Sequence, residues 1–265
     1  MGTRCVLTSY GTGSELETTI KILEETENEL SVWRPDTTLS LLNAQPVNIP
    51  FAVDARLFTL LDEVVSWSGK TNHAFDPAIG KLRFLSLDRE ASSITRKADV
   101  RIDSGAFGKG EGLDRVFHQS TVEGGAPWLI DLGGQVMVYG HPPGKTSWTV
   151  DIAHPQERGT AAMTLELASG SISTSGVSEQ PGHILDPQTG RPAEFKGSVA
   201  VWHERALVAD ILSTALFVMG PEKGIAWAEQ HSVAAAFLVT SETGGLEIVR
   251  TARFGQLCGT SRPSR

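Results

Sequence analysis

The sequence has few cysteines. The only two, Cys5 and Cys258, lie near opposite ends of the 265-residue chain. They form no CxxC pair, which excludes a cysteine-based metal site, while a disulfide between them stays open. The chain lacks an apolar run of about eighteen residues, so we expect no transmembrane segment, and its start lacks the apolar core of a signal peptide. As written, the sequence predicts a cytoplasmic protein. A leader or anchor removed ahead of Met1 would instead place it in the periplasm or at a membrane.

Basic clusters and several common catalytic motifs are also missing. The net charge is −8 and no stretch concentrates Lys and Arg, which argues against a nucleic-acid partner. The stretch GAFGKG has too few residues between its glycines for a P-loop, and neither GxSxG nor HExxH occurs. None of the seven histidines is spaced from another as metal ligands are. These absences disfavour P-loop hydrolases, α/β-hydrolases and zinc proteases.

The composition is that of an ordinary folded protein, with 40% hydrophobic and 20% charged residues. Periodicity predicts helices in SELETTIKILEETENEL and in DARLFTLLDEVVSWSGKT, the latter beginning at Asp54. Between them, SVWRPDTTLSLLNAQP reads as a loop, and ADVRID as a strand before a glycine-rich bend. Strands dominate from PWLIDLGGQVMVYG onward, and VAAAFLVTSETGGLEIVR predicts a closing hairpin. We therefore expect an α+β fold of one large domain, residues 1–265, with mixed or antiparallel sheets flanked by helices, undivided or split into two subdomains.

The stretch ALVADILSTALFVMG has the length and apolar content of a buried helix, yet it carries Asp210, Ser213 and Thr214. Residues spaced i, i+3 and i+4 share one face of a helix, so these three form a single polar spot. A buried carboxylate is normally paired or bound to metal. Three oxygen donors favour Mg²⁺ or Ca²⁺. Alternatively, Asp210 meets a Lys or Arg and the hydroxyls bond back to helix carbonyls. A second, shorter helix is predicted in EKGIAWAEQ.

Other stretches leave similar alternatives. In RIDSGAFGKG, Asp103 and Lys109 border a glycine-rich bend that could hold a phosphate or could simply join two elements. In GHILDPQTGRP, His183 could accept a proton, since histidine titrates near neutral pH, or be a solvated loop residue. In NHAFDPAIG, Asp76 could face a ligand or cap a turn. Trp33 could stack on a planar ligand or belong to the core.

The order of these stretches along the chain is more specific than any one of them. The stretches that together resemble the ApbE family of FAD:protein FMN transferases are MGT at the start, SVWRPDTTLSLLN, AFDPAIGKL, IDSGAFGKGEGLD, LIDLGGQVMVYG, STSG, HILDPQTGRP and VADILSTALFVMGP. The resemblance covers nearly the whole chain and implies an ApbE-type, T-fold-like architecture. Members of that family bind FAD and Mg²⁺, split the FAD pyrophosphate and attach FMN through a phosphodiester to a Thr or Ser of an acceptor flavoprotein, releasing AMP.

The resemblance also implies roles for individual residues. It implies a metal site of Asp210, Thr214 and the carbonyl of Ala106, with Ser213 beside them, and His183 as general base. The FAD-contacting positions it implies are Met1, Trp33, Ala74, Phe75, Asp76, Asp103, Lys109 and Ile184. Trp33 stands where relatives usually have tyrosine, and TSGVSEQPGH is shorter than usual. Alternative functions are an FAD pyrophosphatase giving FMN and AMP, a non-catalytic FAD-binding protein, or a structural module without a ligand, against which a buried Asp210 argues.

Overall fold

The computed structural model describes residues 3–11, 13–157, 159–176, 182–241 and 245–258. Within them lie six α-helices and twelve strands. The helices are α1 (Ser14–Leu30), α2 (Thr38–Ala44), α3 (Ala55–Lys70), α4 (Gly108–Glu123), α5 (Ala206–Gln230) and α6 (Ala252–Cys258). The strands are β1 (Cys5–Ser9), β2 (Pro50–Ala52), β3 (Leu85–Asp88), β4 (Ser93–Arg96), β5 (Trp128–Leu132), β6 (Gln135–Tyr139), β7 (Trp148–Ala153), β8 (Ala161–Leu167), β9 (Gly170–Gly176), β10 (Gly197–His203), β11 (Ala234–Thr240) and β12 (Leu246–Arg250).

The strands form three sheets, and each strand pair among the described residues is antiparallel. The largest sheet has the order β1-β5-β6-β9-β10-β11-β12, a smaller one the order β2-β4-β3, and β7 and β8 form a separate arm. Helix α5 packs against β9 and β10 on one face of the large sheet and against α4 at its start. The α+β expectation with antiparallel sheets and flanking helices is confirmed. None of the described helices is both long and apolar enough to cross a bilayer.

The large sheet is interrupted between β6 and β9. These strands pair only from Val136↔Ile172 to Val138↔Gly170, so among the described residues the rest of β9, from Ser173 onward, is paired to β10 alone. The β5–β6 hairpin ends here in a tight turn at Gly133 and Gly134, whose φ angles are 58° and 82°. Two consecutive positive φ angles are typical of hairpin turns that favour glycine. The interruption leaves an opening within the sheet, between the β5–β6 turn and the second half of β9.

Two helix predictions are confirmed in detail. Helix α3 begins after Asp54, whose side chain accepts the Leu57 backbone N–H at 2.8 Å, as an N-cap does. In α5, Gly220 has φ 74° and Pro221 follows, so the helix is broken between its long apolar first part and a shorter second part. The first part is buried because it lies between two hydrophobic clusters that it joins.

Three local predictions were wrong or incomplete. The stretch predicted as a loop contains α2, which the Thr37 side chain starts by accepting the Ser40 N–H at 3.2 Å. The strand predicted in ADVRID does not form. Its backbone N–H groups bond to partners outside any strand. The Ile102 N–H donates to Asn43 Oδ1 and the Asp103 N–H to the Pro77 carbonyl, each at 2.8 Å. The β11–β12 hairpin forms, but α6 follows it.

Candidate functional site

A cleft of about 1120 Å³ lies where the opening in the large sheet meets α5 and the start of α4. It is larger than the roughly 300–1,000 Å³ typical of ligand pockets. Its walls come from distant parts of the chain, including the arm tip around His154 and the Gly133–Gly134 turn. The predicted site residues that line it are Ala74, Phe75, Asp76, Asp103, Ala106, Lys109, His183, Ile184, Asp210 and Thr214.

Three predicted site residues are not among these. Met1 lies outside the described residues. Trp33 is 91% exposed and does not line the cleft, so the alternative that it belongs to the core is wrong, while its contact with a flavin stays a prediction. Ser213 is fully buried behind the cleft wall, where its hydroxyl bonds to protein groups. Its assignment to a metal site has no support from this position.

Asp210 is 2% exposed, and both oxygens of its carboxylate have hydrogen-bond partners. Lys109 Nζ lies 3.0 Å from Oδ1 and 3.4 Å from Oδ2. The Gly110 backbone N–H donates to Oδ2 at 3.1 Å, and the Ser173 hydroxyl donates to Oδ1 at 3.3 Å. Of the two explanations that the sequence left open for this buried carboxylate, the lysine partner is therefore present. The carboxylate nevertheless borders a large cleft, which a purely structural ion pair does not need.

A chain of hydroxyls continues from Asp210 to the cleft. Ser173 Oγ is 3.1 Å from Ser213 Oγ, which is 2.9 Å from Ser175 Oγ, and Ser175 Oγ is 3.4 Å from Thr214 Oγ1. The Ser213 hydroxyl also donates to the Asp210 carbonyl at 3.0 Å, as the structural alternative predicted. The chain orders Thr214 relative to Asp210. Sequence reasoning missed Ser173 and Ser175, although their i, i+2 spacing in a strand places both on the face toward α5.

The oxygen atoms here fit a magnesium ion that is also bound by phosphate. Asp210, Thr214 and Ala106 line the same cleft and offer a carboxylate, a hydroxyl and a carbonyl, the donors that Mg²⁺ prefers. The described residues contain no group of three or more His, Cys, Asp or Glu that could hold a metal on its own. Mg²⁺ in proteins is commonly held by one or two carboxylates with waters and substrate phosphates. The site therefore suits a cation that arrives with a phosphate ligand.

Two aspartates of the cleft wall also shape the loops that carry them. Asp76 accepts the Ala78 N–H at 2.8 Å and the Leu82 N–H at 3.3 Å, and burial raises the pKa of its carboxyl group. Asp103 accepts the Gly105 N–H at 2.8 Å in the short turn before α4. The turn-capping alternative for Asp76 is thus present. It does not exclude a ligand contact, because both side chains border the cleft.

His183 stands at the cleft on a braced turn, and its side chain is exposed. The turn is held by Asp186, which accepts the Gln188 N–H at 2.8 Å and the Thr189 hydroxyl at 3.1 Å. The next residue, Ile184, is buried in the cluster around α5 and anchors the loop. An imidazole in this place can meet a group that approaches from solvent, which a buried histidine could not.

Ser198 is a further residue of the cleft that sequence reasoning missed. It is 4% exposed, and its hydroxyl finds no hydrogen-bond partner among the described residues. A buried polar group without a partner is destabilising by about 1–3 kcal/mol. Ser198 lies at the start of β10 opposite Gly176, beside the opening in the sheet. Its sequence context, GSVAVWH, carries no signal beyond that of a buried strand.

Comparison with known proteins identifies the family of this chain. The profile of the ApbE family matches residues 1–86 and 82–238. A protein of Treponema pallidum named "FAD:protein FMN transferase" is 30% identical over 263 aligned residues, covering 80% of this chain and 73% of that one. A protein of the same name from Vibrio cholerae is 28% identical, covering 84% and 79%. In fold, the chain is similar to the flavin transferase ApbE from Vibrio cholerae, with a TM-score of 0.86 over 97% of this chain and 96% of that one, at 24% identity. The resemblance seen in the sequence is thereby confirmed, and the chain belongs to the ApbE family.

Proposed function

We propose that this protein is a Mg²⁺-dependent FAD:protein FMN transferase. The observation that carries the proposal is the single cleft that brings Lys109, Asp210, Thr214 and an exposed His183 together. The Lys109 ammonium, and a metal ion held by the carboxylate and the hydroxyl, would attract a diphosphate. An exposed imidazole suits a nucleophile that comes from another protein. The relatives named "FAD:protein FMN transferase" support the choice of FAD as donor and of a protein as acceptor.

The reaction is a phosphoryl-group transfer. The hydroxyl oxygen of an acceptor Thr or Ser attacks the phosphorus on the FMN side of the FAD diphosphate. A new P–O bond forms, the bond from that phosphorus to the bridging oxygen breaks, and AMP leaves with the bond's electron pair. His183 takes the hydroxyl proton. A positioned general base typically contributes a factor of about 10²–10⁴ to such a rate.

The chain's own residues hold the reacting groups. Asp210 and Thr214, with the Ala106 carbonyl, would bind Mg²⁺, whose chemistry is to neutralise the phosphate charges and stabilise the charge on the leaving AMP. The Lys109 ammonium adds a second positive charge that reaches the same point. The flavin ring would lie against the cleft walls at Ala74 and Ile184. Both side chains are apolar and buried, and such surfaces bind planar aromatic rings.

The defining experiment measures all products at once. The protein is incubated with FAD, Mg²⁺ and an acceptor flavoprotein domain. The mass of the acceptor is then determined by mass spectrometry, and AMP and FMN are quantified by chromatography. Transfer gives a covalent FMN adduct and an equal amount of AMP. AMP with free FMN and no adduct would identify an FAD pyrophosphatase. Bound, intact FAD without products would identify a non-catalytic FAD-binding protein.

Matched variants test the assigned roles in that assay. Asp210→Ala should abolish both AMP and adduct. Thr214→Val, which removes the hydroxyl at nearly constant volume, should be impaired far more than Thr214→Ser. His183→Asn should slow transfer by about 10²-fold or more while FAD still binds. His141→Asn, at an exposed histidine that does not line the cleft, serves as its control. Full transfer by Asp210→Ala would refute the metal assignment.

A further inference from the structure

Lys109 and Asp210 form an ion pair that joins two groups with different proposed roles. The ammonium lies within 3.4 Å of both carboxylate oxygens. The carboxylate is 3% exposed, whereas the lysine side chain is 25% exposed and borders the cleft. The pair thus has a fixed, buried partner and a partner that reaches toward solvent.

The other contacts of Asp210 do not depend on Lys109. The Gly110 N–H and the Ser173 hydroxyl bond to the carboxylate from fixed positions on α4 and β9. Lysine, by contrast, is a compact charge on a flexible four-carbon stem. If the ammonium moved away, the carboxylate would stay in place and still need a positive partner, because an unpaired buried charge is strongly unfavourable.

We infer that Lys109 is a displaceable counter-ion of Asp210, which a divalent cation replaces so that the ammonium can turn to a phosphate of the substrate. The inference rests on the proposed function. It also preserves neutrality at the site, which matters where burial makes unbalanced charge costly. Without ligands, one carboxylate faces one ammonium. With them, the carboxylate and two singly charged phosphates face the ammonium and one divalent cation.

Two consequences follow from the exchange. In the absence of substrate, Lys109 competes with the cation and weakens its binding. When the diphosphate is present, the displaced ammonium gains a new anionic partner, so metal and substrate strengthen each other's binding. Such coupling is reciprocal by thermodynamic necessity. Because of this coupling, the site binds the metal ion and the diphosphate together more readily than it binds the metal ion alone.

The test is the affinity for Mn²⁺ alone, measured without FAD by the electron paramagnetic resonance signal of the free ion. Lys109→Met should bind Mn²⁺ about tenfold or more tightly than wild type, because a nearby positive charge is removed. Lys81→Met is the matched control. It removes the same charge from an exposed lysine that bonds to the Asp99 carbonyl outside the cleft, so the affinity should stay within about twofold.

The possible results separate the inference from the proposed function. Equal or weaker Mn²⁺ binding by Lys109→Met, with normal binding by wild type, would overturn the exchange and leave the metal site standing. An increase of the same size in Lys81→Met would also overturn it, since the effect would then be one of net charge. No Mn²⁺ binding by either protein, with or without FAD, would overturn the metal site itself.

A measurement on the unmodified protein covers the case in which Lys109→Met does not fold. Lysines are acetylated briefly with and without saturating Mg²⁺, and each site is quantified by mass spectrometry. Mg²⁺ alone should raise the acetylation rate of Lys109 several-fold and leave that of Lys81 unchanged. In Asp210→Asn, Lys109 should react fast under both conditions. An unchanged rate at Lys109 in the wild type would contradict the displacement.

Discussion

Gly110 and Ala206 are in direct backbone contact where α4 crosses the start of α5. A methyl group added to Gly110 would lie 2.5 Å from the Ala206 carbonyl oxygen and 2.6 Å from the Cα of Leu207, distances that real atoms do not adopt. Only glycine therefore allows the two helices to approach this closely. The same approach brings the Gly110 N–H to the Asp210 carboxylate, so one contact both packs the helices and orders the site.

Gly110→Ala should destabilise the protein by about 1–3 kcal/mol, because overpacking forces the backbone of one helix to shift. Urea unfolding measures the change. The control is Gly69→Ala in the last turn of α3, where an added methyl group meets nothing within 4 Å and the change should be neutral or stabilising by up to about 1 kcal/mol. Equal stability of the two variants would show that the α4–α5 contact tolerates a side chain.

Asp114 caps the same end of α5. Its carboxylate accepts the Ala206 N–H at 2.6 Å and the Leu207 N–H at 3.2 Å, and Arg205 Nε lies 3.5 Å away. Burial nevertheless raises the pKa of Asp114 from 3.8 to about 6, because these partners offset only part of the loss of solvent. Between about pH 4 and pH 6, Asp114 therefore stays protonated in the folded protein, whereas the same carboxyl group has lost its proton in the unfolded chain.

The raised pKa predicts that Asp114 makes stability fall as the pH rises. Its contribution is complete below about pH 4 and is lost as the pH passes through about 6, with a total of about 3 kcal/mol. The stability of wild type minus that of Asp114→Asn should therefore decrease between pH 4 and pH 7. Urea unfolding of both proteins across this range measures it. A constant difference would mean that Asp114 has an ordinary pKa in the fold.

The sequence predicted long, periodic elements and missed short ones. Helices α1 and α3 carry apolar residues at helical spacing over several turns, and α5 was recognised by its length and apolar content. The strands from β5 to β11 alternate or run apolar long enough to be recognised. The sheet of β2, β3 and β4 has strands of three or four residues, too short for periodicity to register. Helix α2 has only seven residues and lies between Pro35 and Pro46, which favoured a loop in the sequence.

For the site, the family resemblance named ten of the residues that line the cleft, but not their contacts. Lys109 and Asp210 are 101 residues apart, and no local pattern tells that their side chains meet. The resemblance assigned one to the nucleotide and the other to the metal, and the structure pairs them. Ser198 was missed because the sequence of an apolar strand does not tell whether the hydroxyl of its serine has a hydrogen-bond partner in the fold.

Because the Ser198 hydroxyl has no partner among the described residues, we expect it to contribute to FAD binding and not to the stability of the fold. Ser198→Ala should leave the free energy of unfolding unchanged or slightly raised, since it removes a buried group that lacks a partner. FAD binding should weaken by about 2- to 12-fold, the value of one hydrogen bond of about 0.5–1.5 kcal/mol. Calorimetric titration with FAD and urea unfolding measure the two effects.

Ser171→Ala is the matched control on the neighbouring strand. Ser171 is fully buried like Ser198, but its hydroxyl donates to the Val136 carbonyl at 2.8 Å and accepts from Gln135 Nε2 at 3.3 Å. Its loss should cost about 1–3 kcal/mol of stability without a comparable effect on FAD affinity. The reverse pattern, with Ser198→Ala unstable and binding FAD normally, would assign Ser198 to the core.

Trp33 lies on the loop between α1 and α2, three residues after the end of α1. The Leu30 carbonyl before it accepts the Ser104 hydroxyl at 2.7 Å, and Gly105 lines the cleft. A tryptophan that is 91% exposed packs against little, so Trp33→Ala should leave the melting temperature unchanged. If the indole stacks on bound FAD, this variant should weaken FAD binding by about 2- to 12-fold, the value of an aromatic pair of about 0.5–1.5 kcal/mol.

The quenching of flavin fluorescence on binding measures this effect directly, because stacking on an indole quenches the flavin. Trp33→Phe should keep most of the affinity, since a phenyl ring also stacks, while Trp33→Ala should lose both affinity and quenching. Quenching that persists in Trp33→Ala would point to another aromatic ring, and Phe75 lines the cleft. Unchanged affinity in the alanine variant would remove Trp33 from the FAD site and leave the other predicted FAD contacts, six of which line the cleft, in place.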